Sequence, residues 1–241
     1  MLVAVLADAA KLTLIAAGFY FAIGAYVRRA RPLLFGPFEK RRLVIASLIV
    51  LAVLILDVTE DTVGGDSGPI DGAILQFVHR HVPSGLDEFF AAVTLTGSST
   101  VLVPLTIVAT LALALAKHRY EALLLFASLT TSALVIYAVK AIVGRDRPAL
   151  WVTDSYWGSS FPSGHTLIVA SFATAASLCV SRIRPAMQRY VVSTALVWTL
   201  LVAVSRLIVG VHWPTDVLAA ACIGAFIPLA LNLVLELPKP S

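Results

Sequence analysis

Six long stretches of this sequence contain almost no charged residues. A helix needs about 20 apolar residues to cross the hydrocarbon layer of a bilayer, and within lipid a helix pairs all of its backbone groups internally. The stretches therefore predict an all-α, polytopic membrane helical bundle with a six-helix core. They cover about residues 43–59, 94–116, 120–142, 165–181, 190–209 and 215–235.

The composition agrees with a membrane protein. Apolar residues make up 59% of the 241 residues, charged residues make up 13%, and the mean hydropathy is +0.91. These values lie far outside the usual range of soluble domains. We therefore expect membrane lipids around the chain and no bound nucleic acid, while the sequence indicates no particular oligomeric state. The two cysteines, Cys179 and Cys222, fall inside predicted membrane helices, where a small buried residue is common.

An additional apolar segment covers residues 2–27 and is interrupted by Asp8 and Lys11. It lacks the basic start of a cleaved signal peptide, and an ion pair at i, i+3 would lower the cost of insertion. We expect a retained helix that spans the membrane or lies at its surface. The sequence thus predicts an N-terminal hydrophobic helix with a basic cytoplasmic linker in residues 1–42, followed by a membrane-embedded domain in residues 43–241.

Basic residues alternate between connections in the way that the positive-inside rule describes. Of 18 Lys and Arg residues, twelve fall in connections assigned to the cytoplasm, and the acidic loop at 60–92 then faces outward. Four of the remaining six lie at the outer ends of helices or in the loop between them, on the side where basic residues are normally avoided. They are Lys140, Arg145, Arg147 and Arg206. Such a cluster indicates an anionic ligand, and guanidinium groups match phosphate oxygens well; the alternative is scattered pairing with the acidic loop.

The first polar segment is "KAIVGRDRP", which places Lys140 at the outer end of a helix and Arg147 seven residues later. Gly144 and Pro148 predict that the helix ends nearby. Lys140 could alternatively be an ordinary flanking residue whose ammonium group reaches the membrane surface. Arg145 and Asp146 lie inside this segment, and we expect a supporting salt bridge from them.

The second polar segment is "FPSGH", at residues 161–165. Pro162 and Ser163 suit the start of a helix, and Gly164 lets the backbone approach a ligand closely. Free N–H groups at a helix N-terminus bind anions, and His165 stands in that first turn. A lone histidine at a membrane interface is often structural, but His165 shares its end of the bundle with the basic cluster.

The third polar segment is "SRLIVGVHWPTD", at residues 205–216. Arg206 ends one helix, Gly210 permits a turn, and Pro214 begins the next helix, so His212 is expected at an accessible tip. Asp216 can accept the proton of one ring nitrogen of His212 and leave the other nitrogen free to attack phosphorus. His165 can then protonate the leaving oxygen.

These three segments resemble the signature motifs of the type 2 phosphatidic acid phosphatase superfamily, in its membrane lipid phosphatase branch. The motifs are Lys-x6-Arg-Pro, Pro-Ser-Gly-His and Ser-Arg-x5-His-x3-Asp, and the sequence matches every fixed position in the family order. The resemblance implies that His212 forms a phosphohistidine, that Asp216 orients it, and that His165 is the proton donor. It implies a phosphate-binding set made of Lys140, Arg147, Arg206, Ser163 and Gly164.

The resemblance also implies a hydrolase that needs neither a metal nor another cofactor, and the sequence shows no clustered carboxylates or Cys/His zinc spacing at this site. The expected substrate is a lipid phosphate or diphosphate, such as undecaprenyl diphosphate, phosphatidylglycerophosphate or phosphatidate. The expected location is a bacterial cytoplasmic membrane, with the site on the outer face. A phosphotransferase using the same histidine, or a non-catalytic lipid-binding or transport module, remains an alternative. A soluble haloperoxidase with the same motifs disagrees with the hydropathy.

One further segment, residues 70–82, has helical apolar spacing within the outer loop. Ile70, Ile74, Leu75 and Val78 fall on one side of this helix. The pattern is compatible with a helix that lies flat on the membrane beside the site, and equally with an ordinary buried loop helix.

Overall fold

The computed structural model describes residues 2–150 and 158–236, and within these ranges the chain is helical with no strand. The prediction of an all-α membrane bundle is therefore confirmed. The described residues form ten α-helices. They are α1 (Leu2–Ala30), α2 (Pro32–Lys40), α3 (Arg42–Gly64), α4 (Gly68–His81), α5 (Asp87–Thr96), α6 (Ser99–Leu115), α7 (Arg119–Val143), α8 (Gly164–Ile183), α9 (Gln188–Ile208) and α10 (Pro214–Leu235).

Seven stretches of the described chain are helical, long and apolar enough to cross a membrane. Six correspond to the predicted core segments, and the seventh, Ala7–Ala30, lies in the predicted N-terminal helix. The second core span differs from the prediction, because it begins at Asp87 and consists of α5 and α6 in succession, Asp87–Leu115. The break between them lies at Gly97 and Ser98.

The chain divides into two compact units, Met1–Asp57 and Val58–Ser241. The boundary falls inside α3. In the first unit, the ring of Tyr20 on α1 lies 5.7 Å from the ring of Phe38 on α2. These units are defined by packing alone and do not test the predicted domain division after residue 42, which stays a prediction.

The second unit is organised around α8, which is the most deeply buried of its long helices. Its apolar core includes Val169 from α8, Leu125 from α7 and Val202 from α9. The helix α10 approaches α8 so closely that a Cβ at Gly224 would lie 2.4 Å from the carbonyl oxygen of Leu167. Only glycine fits that distance, so Gly224 fixes how near α10 comes to α8. Both predicted membrane cysteines are buried in these two helices.

The helix predicted within the outer loop is α4, and its two faces differ. Leu75 is fully buried, and one turn before it Asp71 is fully buried as well. Ile70 and Ile74 are 60% and 41% exposed. The apolar residues of this segment therefore do not share one buried face, and the side that packs against the unit carries a carboxylate.

Candidate active site

The loop after α7 places two cations beside the segment that precedes α8. Gly144 ends α7 in the left-handed conformation, with φ of 63°, as the sequence predicts for a glycine at a helix end. Lys140 then donates to the carbonyl oxygen of Ser159. The guanidinium of Arg147 donates to the carbonyl oxygens of Ser159 at 3.4 Å and Val211 at 2.9 Å. Arg147 thus connects the loop before α8 with the turn before α10.

The start of α8 holds Ser163 and His165. Ser163 is buried at the position before the first helical residue, and its N–H donates to the carbonyl oxygen of Asp216 at 3.2 Å. This bond ties the beginning of α8 to the first turn of α10. His165 is partly exposed in the first turn of α8 and interacts electrostatically with His212 and with the basic residues Lys140, Arg147 and Arg206.

The turn between α9 and α10 carries the second histidine. Gly210 adopts φ of 74°, which permits the chain reversal predicted there. Arg206 is 1% exposed and His212 is 2% exposed. The expectation that His212 sits at an accessible tip is therefore wrong, because the turn folds inward against the loop after α7. The Nε2 atom of His212 lies 3.5 Å from Nη1 of Arg147.

Asp216 is fully buried, and its carboxylate contacts three partners. Its Oδ2 accepts the N–H of Trp213 at 2.8 Å and lies 3.5 Å from Nδ1 of His212. Its Oδ1 accepts from Arg145 at 2.6 Å. A separation of 3.5 Å is at the outer limit of a hydrogen bond, and such contacts commonly shorten once a substrate is bound. Asp216 is placed to orient the imidazole through Nδ1.

Burial lowers the pKa of His212 to about 4, against the opposing effect of the Asp216 carboxylate, and the positive charge of Arg206 adds to the decrease. The imidazole is therefore neutral near pH 7. With Nδ1 facing Asp216, the lone pair of Nε2 is available on the side where Arg147 lies. This is the protonation state that a nucleophilic histidine requires.

Two residues support the site from outside the predicted phosphate-binding and catalytic set. Arg145 bridges two buried carboxylates, donating to Asp216 at 2.6 Å and to Asp71 at 2.8 Å. The predicted salt bridge of Arg145 thus exists, with partners far away in the sequence. Asp71 was missed, because its burial depends on the distant residues Arg145 and Thr215 and no local pattern indicates it.

An apolar groove of about 750 Å³ adjoins the polar site. It is lined by α6, α7 and the first residues of α8, and both Gly164 and His165 contribute to its wall. Two of its lining residues, Leu134 and Tyr137, are 67% and 76% exposed at the outside of the unit. The groove therefore joins the surface that faces lipid with the side chain of His165. In the part of the chain that the structure describes, no group of three His, Cys, Asp or Glu residues is arranged to hold a metal ion.

The three polar segments thus meet in one place, beside a groove that opens toward lipid. Residues 121–237, which contain all three polar segments, match the family model of the PAP2 superfamily.

Several curated proteins are similar to this chain. Phosphatidylglycerophosphatase B of Escherichia coli strain K12 is 40% identical over 29% of this chain, an alignment that spans only 28% of the E. coli protein. Undecaprenyl-diphosphatase of Sulfolobus acidocaldarius is 25% identical over 80% of this chain and 92% of its own length. Phosphatidylglycerophosphatase B of Bacillus subtilis is 28% identical over 58% of this chain and 70% of its own length.

Two solved structures share the fold. The crystal structure of the transmembrane PAP2-type phosphatidylglycerolphosphate phosphatase from Bacillus subtilis matches with a TM-score of 0.73 at 23% identity, covering 79% of this chain and 96% of the other. The crystal structure of Aquifex aeolicus LpxE matches with a TM-score of 0.54 at 23% identity, covering 67% of this chain and 93% of the other. These likenesses identify the architecture of an integral membrane protein.

Proposed function

We propose that this protein is a metal-independent phosphatase that hydrolyses a lipid phosphate or diphosphate monoester through a phosphohistidine on His212. One observation carries the proposal. Two histidines and a cluster of cations, which come from three separate segments at helix ends, lie together beside a groove that opens toward lipid. Undecaprenyl diphosphate, phosphatidylglycerophosphate and phosphatidate are the candidate substrates, and the names of similar proteins refer to the first two.

The phosphate-binding role is assigned to Lys140, Arg147 and Arg206, together with the Ser163 hydroxyl and the backbone at Gly164. Three positive charges offset the charge of a phosphate dianion and stabilise the negative charge that persists on its equatorial oxygens during transfer. The start of α8 adds the positive end of a helix dipole. Cationic side chains thereby take the part that a metal ion plays in other phosphatases.

In the first chemical step, the neutral Nε2 of His212 attacks phosphorus while the bond from phosphorus to the leaving oxygen breaks. Asp216 accepts a hydrogen bond from Nδ1–H and stabilises the imidazole as it becomes positively charged. His165, which is protonated when the phosphate dianion is bound beside it, gives its proton to the leaving oxygen, so a lipid monoester departs as an alcohol and a diphosphate departs as a monophosphate. The phosphoryl group remains on His212.

In the second step, water attacks the phosphoryl group, and His165 takes one of its protons as a base. The bond from phosphorus to Nε2 breaks and inorganic phosphate is released. His212 returns to its neutral form, and His165 is protonated again, ready to act as the acid of the next turnover. Both histidines therefore end the cycle as they began it.

The groove supports a lipid substrate. Its walls are predominantly apolar side chains, including Leu102, Phe126 and Leu129, and it reaches His165. Burying apolar surface stabilises a bound hydrocarbon chain by roughly 25 cal/mol for each Å² removed from water. A chain in the groove would thus hold the phosphate at the cationic end, next to the proposed proton donor.

The charge distribution supports a site on the outer face of a bacterial cytoplasmic membrane, because twelve of 18 basic residues fall in the opposite connections. The lipid headgroup would already lie at that surface. We place His165 and His212 on that side.

A phosphate-release assay on a panel of lipid phosphates and diphosphates, run with and without EDTA, tests the proposal. We expect release of inorganic phosphate from at least one lipid, unaffected by EDTA. Strong inhibition by EDTA that Mg²⁺ reverses would contradict the metal-free mechanism. Transfer of the phosphoryl group to an added lipid or sugar acceptor, without free phosphate, would instead identify a phosphotransferase.

A further inference from the structure

Asp71 lies on α4, outside the three signature segments, yet it is fully buried against the start of α10. Its Oδ1 accepts the N–H of Thr215 at 3.0 Å, and its Oδ2 accepts the Thr215 hydroxyl at 2.6 Å. A carboxylate at this position satisfies a backbone donor in the first turn of α10 from a different helix. Asp71 therefore fixes the turn of α10 that carries Asp216.

Arg145 occupies the space between Asp71 and Asp216. Its Nη2 donates to Asp71 at 2.8 Å, and its Nη1 donates to Asp216 at 2.6 Å and to Thr215 at 2.9 Å. Its side chain is only 14% exposed, and the two carboxylates are 1% and 0% exposed. Since buried charges require partners, the guanidinium compensates both carboxylates at once.

We propose that Asp71 and Arg145 are a positioning pair that holds Asp216 toward His212 and sets how readily His212 takes up a proton. This inference rests on the proposed function, because it concerns the nucleophile of that reaction. Neither residue is placed to touch the phosphate. Arg145 acts on His212 through Asp216, and Asp71 acts through Arg145.

The two members of the pair have opposite electrostatic effects on His212. Removing the charge of Arg145 leaves the Asp216 carboxylate less compensated, so the proton affinity of His212 rises. Removing the charge of Asp71 leaves more of the positive charge of Arg145 uncompensated, so the proton affinity of His212 falls. The other charged or titratable groups facing His212 are unchanged by either substitution. They are Asp216 on α10, Arg206 on α9 and Arg147 in the loop after α7, with His165 on α8.

The test compares Arg145→Gln with Asp71→Asn in the full-length protein in detergent. We expect the acid limb of kcat/KM to move to higher pH in Arg145→Gln and to lower pH in Asp71→Asn, each by on the order of half a pH unit. The double variant removes one charge of each sign, and its acid limb should return toward that of the wild type. Arg145→Lys keeps the positive charge, so its acid limb should match that of the wild type. Its kcat should be lower than that of the wild type, because an ammonium lacks the fork that joins both carboxylates.

Matched controls are Arg80→Gln on α4 and Glu88→Gln on α5, which make the same charge changes at exposed positions. Neither control should shift the acid limb. Shifts of equal sign in the two buried variants, or no shift in variants that melt like the wild type, would overturn the inference. If either single variant fails to fold, the double variant is the test. The inference predicts that the double variant folds and that its acid limb lies near that of the wild type; a displaced acid limb in a folded double variant would contradict it.

A second readout separates this inference from the proposed function. The titration of ¹³C-labelled His212 can be followed by NMR, with His212→Asn identifying its signal. Opposite shifts of this titration in a protein without phosphatase activity would support the positioning pair while rejecting the proposed reaction. Phosphatase activity in both variants, together with an unshifted titration of His212, would support the proposed reaction while rejecting the positioning pair.

Discussion

His212 combines deep burial with a neutral ring, and that combination determines what its substitution should do. We predict that His212→Asn, which keeps a polar side chain of moderate size, lowers phosphate release by at least about a thousandfold, while Asp216→Asn is less severe. His212→Ala should lose activity equally but also some stability, because removing a buried ring leaves a cavity. Phosphate release and thermal melting in detergent separate these effects.

The control for His212 is His81→Ala on α4, an exposed histidine that should be replaceable without loss. If a folded His212 variant kept more than about a tenth of the wild-type rate, its barrier would have risen by less than about 1.4 kcal/mol, and His212 would not be the nucleophile.

A second prediction at this scale concerns pH. Since burial lowers the pKa of His212 to about 4, the ring stays neutral well below its ordinary titration range. The value of kcat/KM should therefore persist as the pH falls through 6.5 and decrease only as the pH approaches about 4. The substrate phosphate also titrates near pH 6, so its dianion fraction must be measured by ³¹P NMR and divided out. A remaining acid limb near pH 6.5 would show that the nucleophile titrates like an exposed histidine.

The sequence predicts the helix ends within the three signature segments, because each segment contains residues with strong local turn or helix-start preferences. Gly144 and Gly210, for instance, are recognisable as turn positions from local preferences alone. The burial of His212 and the partners of Arg145 are different. They depend on contacts between residues 71, 145 and 216, and no local pattern specifies which distant helix supplies a carboxylate.

At the scale of helices, the contact between α8 and α10 positions the site, since it brings Ser163 against Asp216. We predict that Gly224→Ala destabilises the protein by on the order of 1 to 3 kcal/mol and lowers activity, because the new Cβ would lie 2.4 Å from the Leu167 carbonyl oxygen and 2.7 Å from the Ala170 Cβ. Thermal melting and phosphate release measure the two effects.

The matched substitution is Gly72→Ala, also within a helix, where a Cβ would have nothing within 4 Å. It should be neutral or slightly stabilising, because alanine favours a helix more than glycine does. Equal behaviour of the two variants would mean that α10 can move away from α8 without consequence for the site.

Hydropathy predicts the number and approximate position of the membrane helices, because a lipid environment demands long apolar stretches. It does not predict the break between α5 and α6, or which side of α4 packs inward. Ile70 and Asp71 are neighbours in α4, yet the apolar residue is exposed and the acid is buried. The ion pair with Arg145 decides that orientation, and hydrophobicity alone would give the opposite one.

For the whole molecule, the testable property is the side of the membrane on which the site lies. Ala149 follows the first signature segment, Ala186 lies between α8 and α9, and both are exposed. We predict that Ala149→Cys reacts with a membrane-impermeant maleimide in intact cells, or in spheroplasts where an outer membrane blocks access. Ala186→Cys should react only after permeabilisation. The native thiols of Cys179 and Cys222 are buried and provide a low background. Reversed labelling would place the site on the cytoplasmic face.

The sideways opening of the groove implies that the two products of the proposed reaction leave into different phases. The lipid product can diffuse back into the plane of the bilayer past Leu134 and Tyr137, whereas inorganic phosphate departs into water. The protein would then encounter its substrate by lateral diffusion within the plane of the bilayer. Its rate should follow the mole fraction of phosphorylated lipid within the membrane, so that added inert lipid slows turnover even when the total substrate per volume of suspension is constant.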